Sequence, residues 1–314
     1  MTVGRIGLGL RVPPAGRAGD PGLFGPHSLV WRIARERILL TAGPAALLLQ
    51  IAHPLVAEAV AGHSRFRQDP FQRLRATLDA TLTISFGDAD QARAAASQVA
   101  AVHRSVRGRI EREIGPFEKG TRYDAADPEL GLWVHTTLVW MALDAYQLLV
   151  APLSDSERAG YYQESKSFAR QFGVTDGGLP ASYADFLTYR ESMIQGSSLA
   201  VGDVARGLAA EILQPGVPAP FAIALVPLRS FAAGALPDTV RGAFGLRWGR
   251  REQWTFRPVT RSARSGIRML PAPVRYWPHY RAAVRRLREV SAAPKPGRRS
   301  RQEGRSADRR RPAG

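Results

Sequence analysis

His103 sits among Val99, Val102 and Val106 in the stretch 98–110, where apolar residues recur at helical spacing. It lies four residues after Val99 and three before Val106, so the spacing predicts that it shares their buried face. A ring nitrogen on such a face must find a partner inside the protein. Two chemistries meet that need. One is a core histidine bonded to a backbone carbonyl. The other is axial ligation of haem iron through one nitrogen, the second nitrogen being held by an acceptor. His135, in the stretch 132–138, poses the same choice on a helix that is apolar nearly all round and therefore central. Glu58 falls between His53 and His63, three residues after Leu55 and three before Ala61. Burial there would raise its pKa and suit it to proton transfer, whereas a surface position would make it an ordinary solvated carboxylate. Arg73 and Thr77, four apart, project from one helix face. A guanidinium and a hydroxyl so placed could hold a haem propionate or bound dioxygen, or the arginine could simply be solvated.

Other site chemistries find little support. The chain has no cysteine, which removes thiolate nucleophiles, disulfides and cysteine-held zinc or iron–sulfur centres. There is no His-Glu-x-x-His and no repeated Glu-x-x-His, so zinc and di-iron sites are disfavoured. No Gly-rich phosphate loop, nucleophile elbow or dinucleotide fingerprint is present.

The elements that must position these side chains read as helices. Ser28 caps a helix expected to reach about Leu40, and Gly43-Pro44 breaks it. A second helix from about Ala45 meets Pro54, which should kink it. Asp69-Pro70 opens a helix to about Ile84, and Asp88 or Asp90 opens another to about Ile110. Asp127-Pro128-Glu129 is a strong start signal, with proline at the first helical position and acids at the positive end of the dipole. Ser154 starts a helix ending near Phe172-Gly173, and Ser182 with Asp185 resembles a capping box. Segments 197–213, 219–234 and 237–244 also read as helical, and alternating strand patterns are scarce. The expected fold class is all-α, a single multi-helix domain.

At 314 residues and 45% apolar content, one sizeable core can form. The formal net charge of +17 is concentrated at one end: residues 250–314 hold 19 basic against four acidic side chains, while the rest is nearly balanced. A uniformly basic nucleic-acid-binding body is therefore disfavoured, and no specific nucleic-acid site is expected. The expected layout is a flexible Gly/Pro-rich arm over 1–27, a helical domain over 28–290 and a disordered basic tail over 291–314. The tail could make weak contact with an anionic membrane or polyanion. The N-terminus lacks the apolar run of a secretory signal. The apolar segment 45–61 carries Gln50, His53, Pro54 and Glu58, which favours a buried helix over a span. The expected location is cytoplasmic, with at most peripheral membrane contact.

Five blocks give the chain a family likeness: Leu-Leu-Gln-Ile-Ala-His-Pro (48–54), His-Ser-Arg-Phe-Arg-Gln-Asp-Pro (63–70), Arg-Leu-Arg-Ala-Thr (73–77), Val-His-Arg-Ser-Val-Arg-Gly (102–108) and Tyr-Asp-Ala-Ala-Asp-Pro-Glu-Leu-Gly-Leu-Trp-Val-His-Thr-Thr-Leu (123–138). Together they resemble the oxygenase family that includes the latex-clearing rubber oxygenases and the oxygenase of mycophenolic acid biosynthesis. The resemblance implies a globin-like helical core, b-type haem, and cleavage of isoprenoid double bonds by dioxygen. It implies His103 as the proximal iron ligand, Arg73 and Thr77 as distal groups, His135 as a histidine close to the haem and Glu58 as a catalytic base. Rubber oxygenases carry a lysine just before the distal threonine; here the position is Ala76, so the distal chemistry would differ.

The reading that follows is a haem b-dependent oxygenase/oxidoreductase acting on an apolar substrate of isoprenoid character. Two others stand beside it. One is a haem or apolar-ligand carrier without turnover. The other is a helical protein tethered to membrane or polyanion by its basic tail.

Overall fold

A computed structural model describes residues 5–6, 9–63, 70–214 and 226–291. The architecture is all-α, and its main hydrophobic core draws on helices along the whole described chain. α1 (Leu29–Ala34) leads into a 3-10 turn (Arg37–Ala42), then α2 (Gly43–Ile51) and α3 (Pro54–His63). α4 (Pro70–Phe86) and α5 (Ala89–Ser105) form an antiparallel helical hairpin. Next come α6 (Pro128–Leu149), α7 (Asp155–Arg170), α8 (Tyr183–Gln195) and α9 (Asp203–Leu213). α10 (Val226–Ala235), α11 (Asp238–Ala243), α12 (Arg250–Met269), α13 (Ala272–Arg275) and α14 (Pro278–Ser291) complete it. Two small antiparallel pairs decorate the bundle. β1 (Arg5–Ile6) pairs with β2 (Leu10–Arg11), and β3 (Arg107–Arg109) pairs with β4 (Arg122–Asp124), Gly108 opposite Tyr123.

α6 is the central helix. Asp127 caps it, its side chain accepting from the Glu129 N–H, and Pro128 occupies the first turn, where no donor is lost. Buried residues lie on every side of it, because the 3-10 turn, α2, α7 and α12 all pack against it. Trp133 is fully buried and its indole N–H donates to the Leu49 carbonyl at 3.1 Å, which satisfies the ring's polar atom inside the core. Serine and aspartate caps recur at Ser28, Asp88, Ser154 and Ser182, each accepting from the N–H three residues on.

Several elements differ from the sequence expectation. Helix α1 ends at Ala34, because Glu36 leaves the helix and is buried in a two-pronged ion pair with Arg275 at 2.7 and 2.8 Å. Pro54 does not kink one helix but begins another, and the run from Arg37 to Ile51 meets α3 at 108°. α5 stops at Ser105 rather than near Ile110, because Arg107–Arg109 pair with Arg122–Asp124. The segment 197–213 is helical only from Asp203. Of the segment 219–234, residues 219–225 lie outside the described residues. Helix α12 was not expected at all; its arginines, threonine and Pro258 mask the pattern.

Residues 9–27, within the expected arm, pack on the helical body. Leu10 and Phe24 join the main core, the Arg11 carbonyl bonds His279 Nε2 at 3.0 Å, and the Arg17 N–H donates to Asp88 at 2.7 Å. The arm is locked from the far end of the chain. Buried Arg286 donates to the carbonyls of Asp20 and Phe86 at 2.8 and 3.0 Å. The expected tail, residues 291–314, falls outside the described residues except for Ser291. Among the described residues no single helix is long and apolar enough to cross a membrane. The bent pair that comes nearest contributes Ala45, Leu48, Leu49, Ile51, Val56 and Ala57 to the buried core.

Candidate functional site

His103 occupies the last turn of α5. The inner face of this helix is Ala92 and Ala96, both buried, continuing one turn at a time to Val99 and His103, both half-buried. The fully buried face expected around His103 is therefore not what forms. The face opens toward the helix end, and Val102 beside it is 61% exposed. The reason is the early stop of α5: Val106 turns into extended backbone, its N–H donating to the His103 carbonyl at 3.0 Å. The His103 ring lies 6.2 Å from that of Phe172, which in turn packs 5.1 Å from Phe168. A half-buried imidazole beside an aromatic ring lies at the open end of the hairpin, with exposed Val102 preceding it in the chain.

Arg73 and Thr77 lie on α4, the other arm of that hairpin. The two helices reverse at Gly87-Asp88, where Asp88 and Gln91 form a capping box, so the first turn of α4 runs level with the last turn of α5. This register sets the backbone of Arg73 beside the Val102–His103 level and Thr77 about one turn nearer the reversal. Thr77 and Ala76 are exposed. The side chain of Arg73 lies outside the described residues.

His135 has the opposite setting. It is 5% exposed, and its neighbours Thr136 and Thr137 are fully buried. Its Nε2 lies 3.4 Å from the Ser165 hydroxyl. Ser165 donates its own proton to the Tyr162 carbonyl at 2.7 Å, so it can only accept from His135, and the His135 proton sits on Nε2. Burial pushes the His135 pKa down to about 4, which keeps the ring neutral at physiological pH. Thr137 accepts from Gln50 at 3.1 Å, while the Thr136 hydroxyl has no partner among the described residues. Both histidines approach the same stretch of chain. Ser165, on α7, lies beside His135, and Phe172, just past the end of that helix, lies beside His103.

Glu58 is half-buried on α3. Burial raises its pKa, and the nearby Glu111 carboxylate raises it further. The Tyr123 phenol shares this corner, its pKa raised by burial and by the same two carboxylates. A Cβ on Gly108 would stand 2.3 Å from the Tyr123 hydroxyl, so only glycine on β3 lets the ring lie there. His63 Nε2 donates to the Arg107 carbonyl at 3.0 Å, with the Tyr123 hydroxyl at 3.4 Å. Ala59, Ile110 and Tyr123 form a small core that Val106 also joins, which ties this corner to the end of α5 just past His103. Glu111 and Tyr123 were not singled out in the sequence; they belong to no helical period and meet Glu58 only through the β3–β4 pair. His53, 7% exposed, has its pKa lowered to about 4 by burial, against the pull of Asp127, and its ring packs 5.2 Å from Phe117.

Among the described residues no group of three or more His, Asp or Glu could hold a metal ion. A haem makes a different demand, a single neutral imidazole at an apolar surface. His103 offers a half-buried imidazole beside Phe172 at the end of α5, and His135 offers a buried, neutral ring whose Nε2 lies 3.4 Å from the Ser165 hydroxyl.

Residues 30–265, three quarters of the chain, match the family described as ER-bound oxygenase mpaB/B'/Rubber oxygenase, catalytic domain, and the chain belongs to that family. It is also similar to two curated mycobacterial proteins, Uncharacterized protein Mb2261 of Mycobacterium bovis and Uncharacterized protein Rv2237 of Mycobacterium tuberculosis. Each is 26% identical over 236 residues, covering 73% of this chain and 89% of the relative. No solved structure matches the chain significantly.

Proposed function

We propose that this chain is a haem b-dependent oxygenase that splits a carbon–carbon double bond of an apolar, isoprenoid-type substrate with dioxygen. The observation that carries the proposal is the half-buried His103 ring beside Phe172 at the end of α5. When bound, haem supplies an iron that takes up dioxygen and carries the redox chemistry. The balance closes without a reductant: one alkene and one dioxygen give two carbonyls.

His103 would hold the iron through a ring nitrogen. Arg73 and Thr77, on the facing arm of the hairpin, would donate hydrogen bonds to dioxygen or to a propionate. His135, neutral and fixed by Ser165, lines the deep side without competing as a cation. Glu58 accepts an allylic proton at a carboxylate oxygen and returns it as product forms; its raised pKa makes it a stronger base than an ordinary glutamate.

The test is the absorption spectrum of the purified protein, followed by product analysis. A Soret band lost in His103→Ala, with carbonyl products from an isoprenoid in the presence of dioxygen, is expected. A colourless protein after expression with ample haem overturns the proposal. A Soret band without products under dioxygen identifies a carrier instead.

A further inference from the structure

Helix α12 carries six arginines and one acid in twenty residues. At about 3.6 residues per turn, Phe256, Thr260, Ala263 and Ile267 share one face. That face is the packed one: Ile267 and Thr260 are buried, Phe256 and Ala263 lie against the main core, and the helix rests on α6 and α10. The opposite face presents Trp254, Pro258, Arg261, Ser265, Arg268 and Met269, all exposed. Trp254 is 81% exposed and Met269 86%, among the most exposed large apolar side chains described. They stand about 22 Å apart along the helix, with Arg261 and Arg268 between them. Leu270, 42% exposed, extends the apolar end. Glu252, the one acid, lies toward the packed side, its carboxylate accepting from the Gly249 N–H at 2.7 Å.

We infer that this outer face of α12 is a docking surface for an anionic lipid bilayer, with Trp254 and Met269–Leu270 entering the interface and Arg261 and Arg268 meeting headgroup phosphates. The pattern is what an interfacial helix needs: a tryptophan and aliphatic side chains to leave water, and arginines to meet negative charge at the same depth. A second copy of the chain fits poorly, since pairing this face with itself would oppose arginine to arginine. A nucleic acid would be served by the arginines and by stacking on Trp254, but it gives Met269 and Leu270 no flat partner. This surface lies on the opposite side of α12 from its contacts with the core, and the inference does not depend on haem.

The experiment is sedimentation of the full chain with vesicles of phosphatidylcholine, and with vesicles containing about one third phosphatidylserine. Binding to the anionic vesicles is expected to be at least about tenfold tighter and to weaken with salt. Trp254→Ser with Met269→Ser, and separately Arg261→Gln with Arg268→Gln, should each lower that binding about tenfold, with circular dichroism unchanged. Arg309→Gln/Arg310→Gln/Arg311→Gln in the basic tail should lower it less than either pair. Equal binding to both vesicle types overturns the inference. So does loss of binding in the tail variant with none in the helix variants, which assigns the contact to the tail. An unchanged Trp254→Ser/Met269→Ser variant, with the arginine pair weakening binding to vesicles and to poly(U) alike, makes the face a polyanion site and also overturns it.

Discussion

His103 and His135 look alike in sequence, each among apolar residues on a helix, yet the fold gives them opposite surroundings. His135 is on α6, against which other elements pack from several sides, and its proton is committed to Ser165. His103 is on α5, whose inner face runs from buried alanines to half-buried Val99 before the helix ends and opens. A histidine sealed by four-sided packing is held neutral by desolvation and is expensive to move. A histidine on an opening helix end is only partly desolvated. The apolar neighbourhood is common to both; the reach of the helix beyond the histidine separates them.

The largest effect expected from this contrast is on cofactor content. His103→Ala should abolish most of the Soret absorbance per mole of protein, whereas His135→Gln should keep most of it. If the two outcomes are exchanged, the axial ligand belongs to α6 and the contrast is inverted.

Next in size is stability. Trp133→Ala, in the sealed region, should cost about 3–5 kcal/mol in denaturant titration, because a large side chain and its hydrogen bond leave a cavity. Val102→Ser, at the open end, should change stability by less than about 0.5 kcal/mol. A large loss at Val102 would show that the open end is covered by packing.

The sealed ring also has a pH signature. His135 protonates near 6.5 in the unfolded chain and only near 4 in the fold. The unfolded state therefore binds the extra proton between those values. Stability is full above about pH 6.5 and falls toward pH 4, by about 3 kcal/mol for this residue. His53 acts in the same direction. His135→Gln should flatten part of the acid limb of denaturant midpoint against pH; an unchanged slope would mean that the ring is not sealed.

A smaller effect separates the two arms of the hairpin. Arg73→Ala or Thr77→Ala should retain most haem while slowing dioxygen-dependent turnover by about tenfold or more. Unchanged turnover in both removes them from the site. The smallest expected effect is none: deletion after Val290 should leave folding and haem content intact, since eight basic and two acidic residues over 291–314 come with no large apolar side chain to anchor a core. Cutting before Tyr280 should instead unfold the protein, because it removes buried Arg286 and its bonds to Asp20 and Phe86.

The sequence by itself determined the helical class, the starts of α1, α5, α6, α7 and α8, and the histidines worth considering. Caps are legible because they are local: Ser28, Asp88, Ser154 and Ser182 each bond a backbone group three residues away, so the signal and the structure span the same few residues. What only the tertiary structure decided depends on distant partners. Glu36 ends α1 because Arg275 waits for it, and the arm at Asp20 is ordered by Arg286. The break at Pro54 became a 108° turn because α2 and α3 pack in different directions. Glu58 met Glu111 and Tyr123 through a strand pair that no alternating pattern announced. Helical periodicity reports which side of a helix is apolar, and burial depends on what covers that side. For His103 and His135 that cover comes from α7 and its neighbours, far along the chain, and its extent is set by packing rather than by any short run of residues.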